Sequence, residues 1–174
     1  TNVFPAPGTP VTKQGTIVWT NISYTKANTN SLAFCNTDKV KSGLVTGTQW
    51  DTVCAWINSE TNDDGTPVHS VTNSITWGNY YNTDDSAKYD TDGTTKISGS
   101  KQTAGKSENW KAKNIYDLAG NTFEWTGESY SSNRIRRGGY SFDNGSSGPA
   151  SYRYNFNRSF SSDYLSFRLS LYIM

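Results

Sequence analysis

Four amide or carboxylate side chains recur at short intervals in the stretch Asn114-Ile-Tyr-Asp117-Leu-Ala-Gly120-Asn121-Thr-Phe-Glu124-Trp125. Two chemistries are open to them. Asn114, Asp117, Asn121 and Glu124 could supply the oxygen ligands that calcium prefers, with Asn121 and Glu124 as the metal candidates. Alternatively they tie down a turn: Gly120 permits positive φ, and Asn and Asp side chains bond the backbone beside them. For other site chemistries the reagents are scarce. The chain has two cysteines, Cys35 and Cys54, and one histidine, His69. That leaves little for a zinc or copper centre or a histidine-based triad. The cysteines are free to pair or to sit as buried thiols, and no catalytic residue is assigned.

A second constellation is made for contact rather than reaction. Tyr140, Phe142, Tyr152, Tyr154, Phe156, Phe160 and Tyr164 are interleaved with Asp143, Asn144, Asn155, Asn157, Ser162 and Asp163. Rings supply contact area at modest entropic cost, and Asn, Ser and Gly adapt their hydrogen bonds, as in antibody paratopes. Arg153 and Arg158 add charge-assisted donors. From Tyr140 to Asn155 there is no Leu, Ile or Val, which argues against a pure core segment. In a strand, Tyr152, Tyr154 and Phe156 share a face while Arg153 and Asn155 point elsewhere. An irregular backbone would let Asn155 and Asn157 join the rings.

Composition limits what can surround these groups. The chain has 174 residues with hydrophobic content of 33% and aromatic content of 14%, so large rings must fill the core of one domain. Ser, Thr and Asn number 22, 22 and 17, an excess that favours loops and strands over long helices. Six Trp, eleven Tyr and seven Phe argue against disorder. A formal charge of +1 lacks the concentrated basic face of a nucleic-acid binder. No apolar run is long enough to span a bilayer. A start at Thr1 with no leader pattern suggests an excised piece.

Charge types are segregated. All ten Lys lie at or before Lys113, all six Trp at or before Trp125, and all six Arg between Arg134 and Arg168. Residues 129–173 contain no Lys, Glu, Gln, Trp or Met. Uniform composition would put about seven there. Two rules govern the two parts of the chain.

The elements that must position these groups are short. Residues 1–15 are read as an extended lead-in and 16–174 as one domain. A strand is expected over Thr16–Thr20, and a helix within Asn21–Cys35. A second helix is expected over Gly47–Ile57, capped by Thr48, with Trp50, Val53, Cys54 and Ile57 on the buried face. Trp50, Trp56 and Trp125 are expected to be largely buried. Residues 58–109 are irregular, with Trp77, Tyr80 and Tyr81 either stacking on a sugar or packing under a loop. Strands are expected at Phe123–Thr126, Ile135–Arg137 and, as one alternating run, Ser166–Ile173. Gly138-Gly139 and Asn144-Gly145 mark turns. The fold class is α+β, with one or two helices on a small, mostly antiparallel sheet.

The order N-x-x-D-x-x-G-N-x-x-E-W (Asn114 to Trp125), then Arg137-Gly-Gly139, then Ser166-Phe-Arg168 resembles the C-type lectin fold of the formylglycine-generating-enzyme type. Within it, the chain is similar to the variable proteins of diversity-generating retroelements. Calcium is a possible ligand by this resemblance, and no other cofactor is implied. The catalytic members' cysteines after R-G-G are missing here, so the resemblance implies a binding protein and not an enzyme. Adenine-directed mutagenesis of AAC or AAT codons cannot yield Lys, Gln, Glu, Met or Trp, the residues missing from 129–173. The resemblance therefore implies a variable segment at 138–173. Its ligand would be a protein or glycan on a target cell surface, met from a virion tail tip or an extracellular or cell-surface position. Oligomeric state stays open, and a carbohydrate-binding lectin is the alternative. Arg137, Gly138, Gly139, Arg153, Phe167, Arg168 and Leu169 are assigned to scaffold.

Overall fold

The computed structural model describes residues 13–90 and 94–174. Most of the proposed lead-in lies outside the described residues. The first helix, α1, runs Tyr24–Phe34, capped by Ser23. Strand β1, Val40–Leu44, leads into α2, Gly47–Asn58. Thr46, not Thr48, caps α2: its hydroxyl accepts from Gln49 N while the Gln49 side chain accepts from Thr46 N. This reciprocal pair satisfies two otherwise orphaned donors, which Thr48, already inside the helix, cannot do.

The described residues of 59–107 are mainly loop, with one short helix, α3, at Asp85–Lys88. The short pair β2 (Lys111–Ala112) and β3 (Ile115–Tyr116) precedes the central strand β4, Phe123–Tyr130. Then come β5 (Asn133–Arg137), β6 (Arg153–Phe156), β7 (Leu165–Phe167) and β8 (Leu169–Ile173). The main sheet has the order β6-β5-β4-β7, and β8 pairs with β1 in a second sheet. The β4–β7 pairing is parallel, and the other strand pairs are antiparallel. The α+β architecture expected from the sequence is the one observed.

Three further local expectations fail. Thr16–Thr20 is not a strand. Gly15 N donates to Ala104 O and Ala104 N donates to Thr16 O, two bonds to a loop rather than a ladder. Ser166–Ile173 is not one strand but breaks at Arg168, the first part lying against β4 and the second against β1. Trp56 is 50% exposed. It lies off the stripe formed by Trp50, Cys54 and Ile57, and the Lys113 ammonium covers its ring at 5.7 Å.

The two faces of the main sheet differ in kind. One face meets α1: the Trp125 indole donates to Ile22 O at 3.0 Å, and Tyr24 stands edge-on to Trp125. The other face meets α2 through charge, with Arg137 against Asp51 of α2 at 3.0 Å while Glu128 of β4 holds the same guanidinium at 3.1 Å. Four tryptophans anchor the interior. Trp50, Trp77, Trp110 and Trp125 are all buried, and each indole N–H donates to a backbone carbonyl.

Candidate functional site

The Asn114–Glu124 motif is a chain of left-handed residues. Asn114, Asp117, Gly120 and Asn121 have φ of 65°, 54°, 75° and 61°. These are backbone states that glycine adopts freely and Asn and Asp tolerate. At Gly120 the constraint is also steric, since a Cβ there would come within 2.2 Å of Asn79 O. Asn121 is buried, its Oδ1 accepting from Asn79 Nδ2 and Gln102 N and its Nδ2 donating to Gln102 O. Both Glu124 oxygens accept from Arg168, at 2.8 Å each. Asp117 Oδ2 accepts from Gly105 N, and burial pushes its carboxyl up to about 6. Among the described residues no group of three or more His, Cys, Asp or Glu is gathered as a metal site would need. Both metal candidates thus direct their oxygens to protein donors, a geometry that favours the turn network.

The interleaved segment divides. From Gly138 to Ala150 the backbone folds inward, with Gly138, Gly139, Ser141, Gly145, Gly148, Pro149 and Ala150 buried. Small residues do here what aliphatic ones do elsewhere: a Cβ on Gly139 would lie 2.0 Å from Gly148 O. Asn144 caps the local turn, accepting from Ser146 N. Asp143 Oδ2 accepts from Tyr140 N, and burial raises its carboxyl to about 6.

The rings of the segment meet. Tyr140 stacks on Phe123 at 5.0 Å and lies 4.7 Å from Tyr164; Tyr152 lies 5.9 Å from Phe123. Tyr152 and Tyr154 are nearly parallel, Tyr154 adjoins Phe156, and Phe156 lies 4.3 Å from Phe160. Phe142 joins through Tyr140 at 6.0 Å. Only Phe142 (62%) and Tyr154 (46%) are exposed; the other five rings are half-buried. Their inner faces rest on the cluster of Phe123, Trp125 and Leu165, so the surface is continuous with the core beneath it.

Some candidate residues stand apart from the rings. Strand β6 is regular, so Asn155 turns to the opposite side and accepts from Asn133 Nδ2 at 2.8 Å. Arg153 on that side meets Glu128. Asn157 caps a turn by accepting from Ser159 N, and Asp163 accepts from the Ser162 hydroxyl. Trp77 and Tyr80 are buried, at 2% and 0% exposure, which removes them as sugar-stacking faces; Tyr81 is exposed.

Two residues of this region were not singled out from the sequence. Phe123 is the hub of the ring cluster, and Arg136 lies over it at 3.9 Å. Alternation along β5 could have found Arg136, because Arg137 is the scaffold residue of the pair and its neighbour must face the other way.

No family model and no curated protein matches the chain. Among solved structures it is similar to Treponema denticola variable protein 1, with a TM-score of 0.50 and 20% identity over 78% of this chain. The chain has the fold of a variable protein. At this identity the likeness shows the fold alone, the C-type lectin fold expected from the sequence. The match spans 49% of that protein's length.

Proposed function

We propose that the ring face formed by β6 and the loops at 140–142, 152 and 157–164 is a diversified ligand-binding surface on a constant, non-catalytic C-type lectin scaffold, as in the variable proteins of retroelements. One observation carries this reading: a contiguous row of half-exposed Tyr and Phe rings coincides with the stretch that lacks Lys, Glu, Gln, Trp and Met. Contiguous exposed rings mark interaction sites, because monomers seldom leave such area in water. The partner that suits tilted and edge-packed rings is a protein on a target cell, reached from a virion tail tip or a cell surface. A glycan is the alternative, and Tyr81, the exposed ring of its trio, is the residue left for stacking. No described helix is long and apolar enough to cross a membrane, and the near-neutral charge gives no footprint for nucleic acid.

The test is a paired panel. Phe142→Ser, Tyr154→Ser and Phe160→Ser should melt close to wild type, and the same changes should alter which proteins the chain captures from a displayed library. A near-copy of the coding sequence for 138–173 beside a reverse transcriptase gene is the matching genetic expectation. If most of the panel unfolds, the segment is core and the reading fails.

A further inference from the structure

We propose that Arg136 is the anchor for a carboxylate of the bound partner, an Asp or Glu side chain of a protein epitope; this rests on the ring face being the binding surface. Arg136 is 9% exposed and lies under that face, over Phe123 at 3.9 Å, with Phe156 at 4.8 Å and Tyr154 at 5.5 Å. The rings satisfy the flat faces of the cation. They accept nothing from its edge: Nε and Nη1 are buried without a hydrogen-bond partner among the described residues.

Two other arginines, Arg137 buried and Arg168 half-buried, set the standard. Arg137 is matched by Asp51 and Glu128, and Arg168 takes both oxygens of Glu124. Among the described residues Arg136 has no carboxylate partner. An unpaired donor of a buried cation is strongly unfavourable, and the planar fork of a guanidinium is shaped to take a carboxylate on its edge. Asp143 acts on Arg136 only through space: among the described residues the two form no ion pair, and Asp143 Oδ2 accepts from Tyr140 N. Arg134, two residues back on the same face, has an unpartnered Nε as well and lies over Tyr24 at 4.8 Å. The sheet under the rings thus presents two cations with unused donors. A single acidic side chain set among apolar contacts matches that surface.

Access depends on the diversified positions. Tyr154 lies opposite Arg136 in the β5–β6 register, on an edge strand, and is 46% exposed. Rotation of that ring uncovers the guanidinium, and a smaller residue drawn at position 154 uncovers it permanently. Arg136 itself lies outside 138–173.

Side-chain NMR of the intact chain, following the Arg136 Nε–H resonance, tests this. The probes are N-acetyl-Tyr-Glu amide and its Gln counterpart, with methyl glucuronide and inorganic phosphate as the sugar and phosphate arms. The Glu probe should shift the resonance saturably in the millimolar range of a single charge-assisted pair, and the Gln probe should leave it in place. Tyr154→Ser should tighten the Glu probe several-fold, roughly the gain from removing a cover that must move. Arg136→Lys, which keeps the charge but not the fork, should weaken it on the order of tenfold. The proposal is overturned if both dipeptides shift Arg136 equally, if neither does, or if glucuronide or phosphate saturates the site at lower concentration than the Glu probe. If Arg136→Lys does not fold, the wild-type titration alone decides. Tyr140 and Tyr154 ring signals that move with either dipeptide while Arg136 stays still would sink the anchor and leave the binding face standing. Collapse of the serine panel would sink the binding face itself.

Discussion

The tryptophan interior and the tyrosine–phenylalanine face are both aromatic clusters, held by different forces. Each of the four interior indoles has a single directed bond to a backbone carbonyl, from Trp50 to Ala150, Trp77 to Ser70, Trp110 to Ala87 and Trp125 to Ile22. The outer rings have none. Among the described residues no hydrogen bond is made by the hydroxyls of Tyr140, Tyr152, Tyr154 or Tyr164, and the rings touch by stacking and tilted contacts alone. A directed, buried bond specifies one residue, because losing either partner leaves a desolvated polar group. A half-exposed stack specifies only bulk, and any side chain that leaves the floor covered is tolerated. A chain can hold its fold constant and vary its surface when the two jobs are separated in this way.

The comparison breaks most plainly at Trp125. Trp125→Ala should destabilise by about 3–5 kcal/mol, because it opens a cavity and orphans Ile22 O; chemical denaturation reads this, and a loss near zero would deny the interior its role. The boundary between regions runs through Gly139, inside the segment read as variable. Gly139→Ala should cost about 2–3 kcal/mol, since a Cβ cannot fit against Gly148 O and φ is positive; a neutral result would extend the tolerant region inward.

The buried acids offer a pH test. Burial raises the Asp117 carboxyl to about 6 from an ordinary 3.8. A raised folded value gives stability that is fully present below the unfolded pKa and is lost as pH rises through about 6. Wild type should therefore gain about 1.4 kcal/mol relative to Asp117→Asn between about pH 7.5 and pH 5. A parallel pH dependence of the two proteins would refute it. Asp143, raised for the same reason but half exposed, should show the same sign and a smaller size.

Tyr154→Ser should change stability by no more than about 1 kcal/mol, the scale of surface positions; a loss like that of Trp125→Ala would merge the two regions into one core. The smallest effect is expected from chelation. Asn121 and Glu124 already bond to Gln102, Asn79 and Arg168, so EDTA should leave the melting temperature in place. A fall would show that calcium binds the native state.

How far the sequence carried this reading depended on the range of the interaction concerned. The stripe Trp50, Cys54, Ile57 was legible because a helix repeats its own geometry every few residues, and the same stripe should have excluded Trp56. The strand alternation that turns Asn155 away from Tyr154 was legible for the same reason. Thr16–Thr20 and the break at Arg168 were not, because a strand exists only where a partner presents its donors. Residues 16–20 meet a loop, and Arg168 is drawn to Glu124, 44 positions earlier in the chain. The sequence by itself determined the local turns of the Asn114–Glu124 motif, the two helices and the compositional border near Ser129, since each is written in neighbouring residues. Only the tertiary structure decided that Gly138–Ala150 packs inward, that Phe123 is the floor of the ring face, and that Arg136 lies beneath it with no carboxylate among the described residues. Those facts come from side chains distant in sequence competing for the same space, and no local pattern records the outcome.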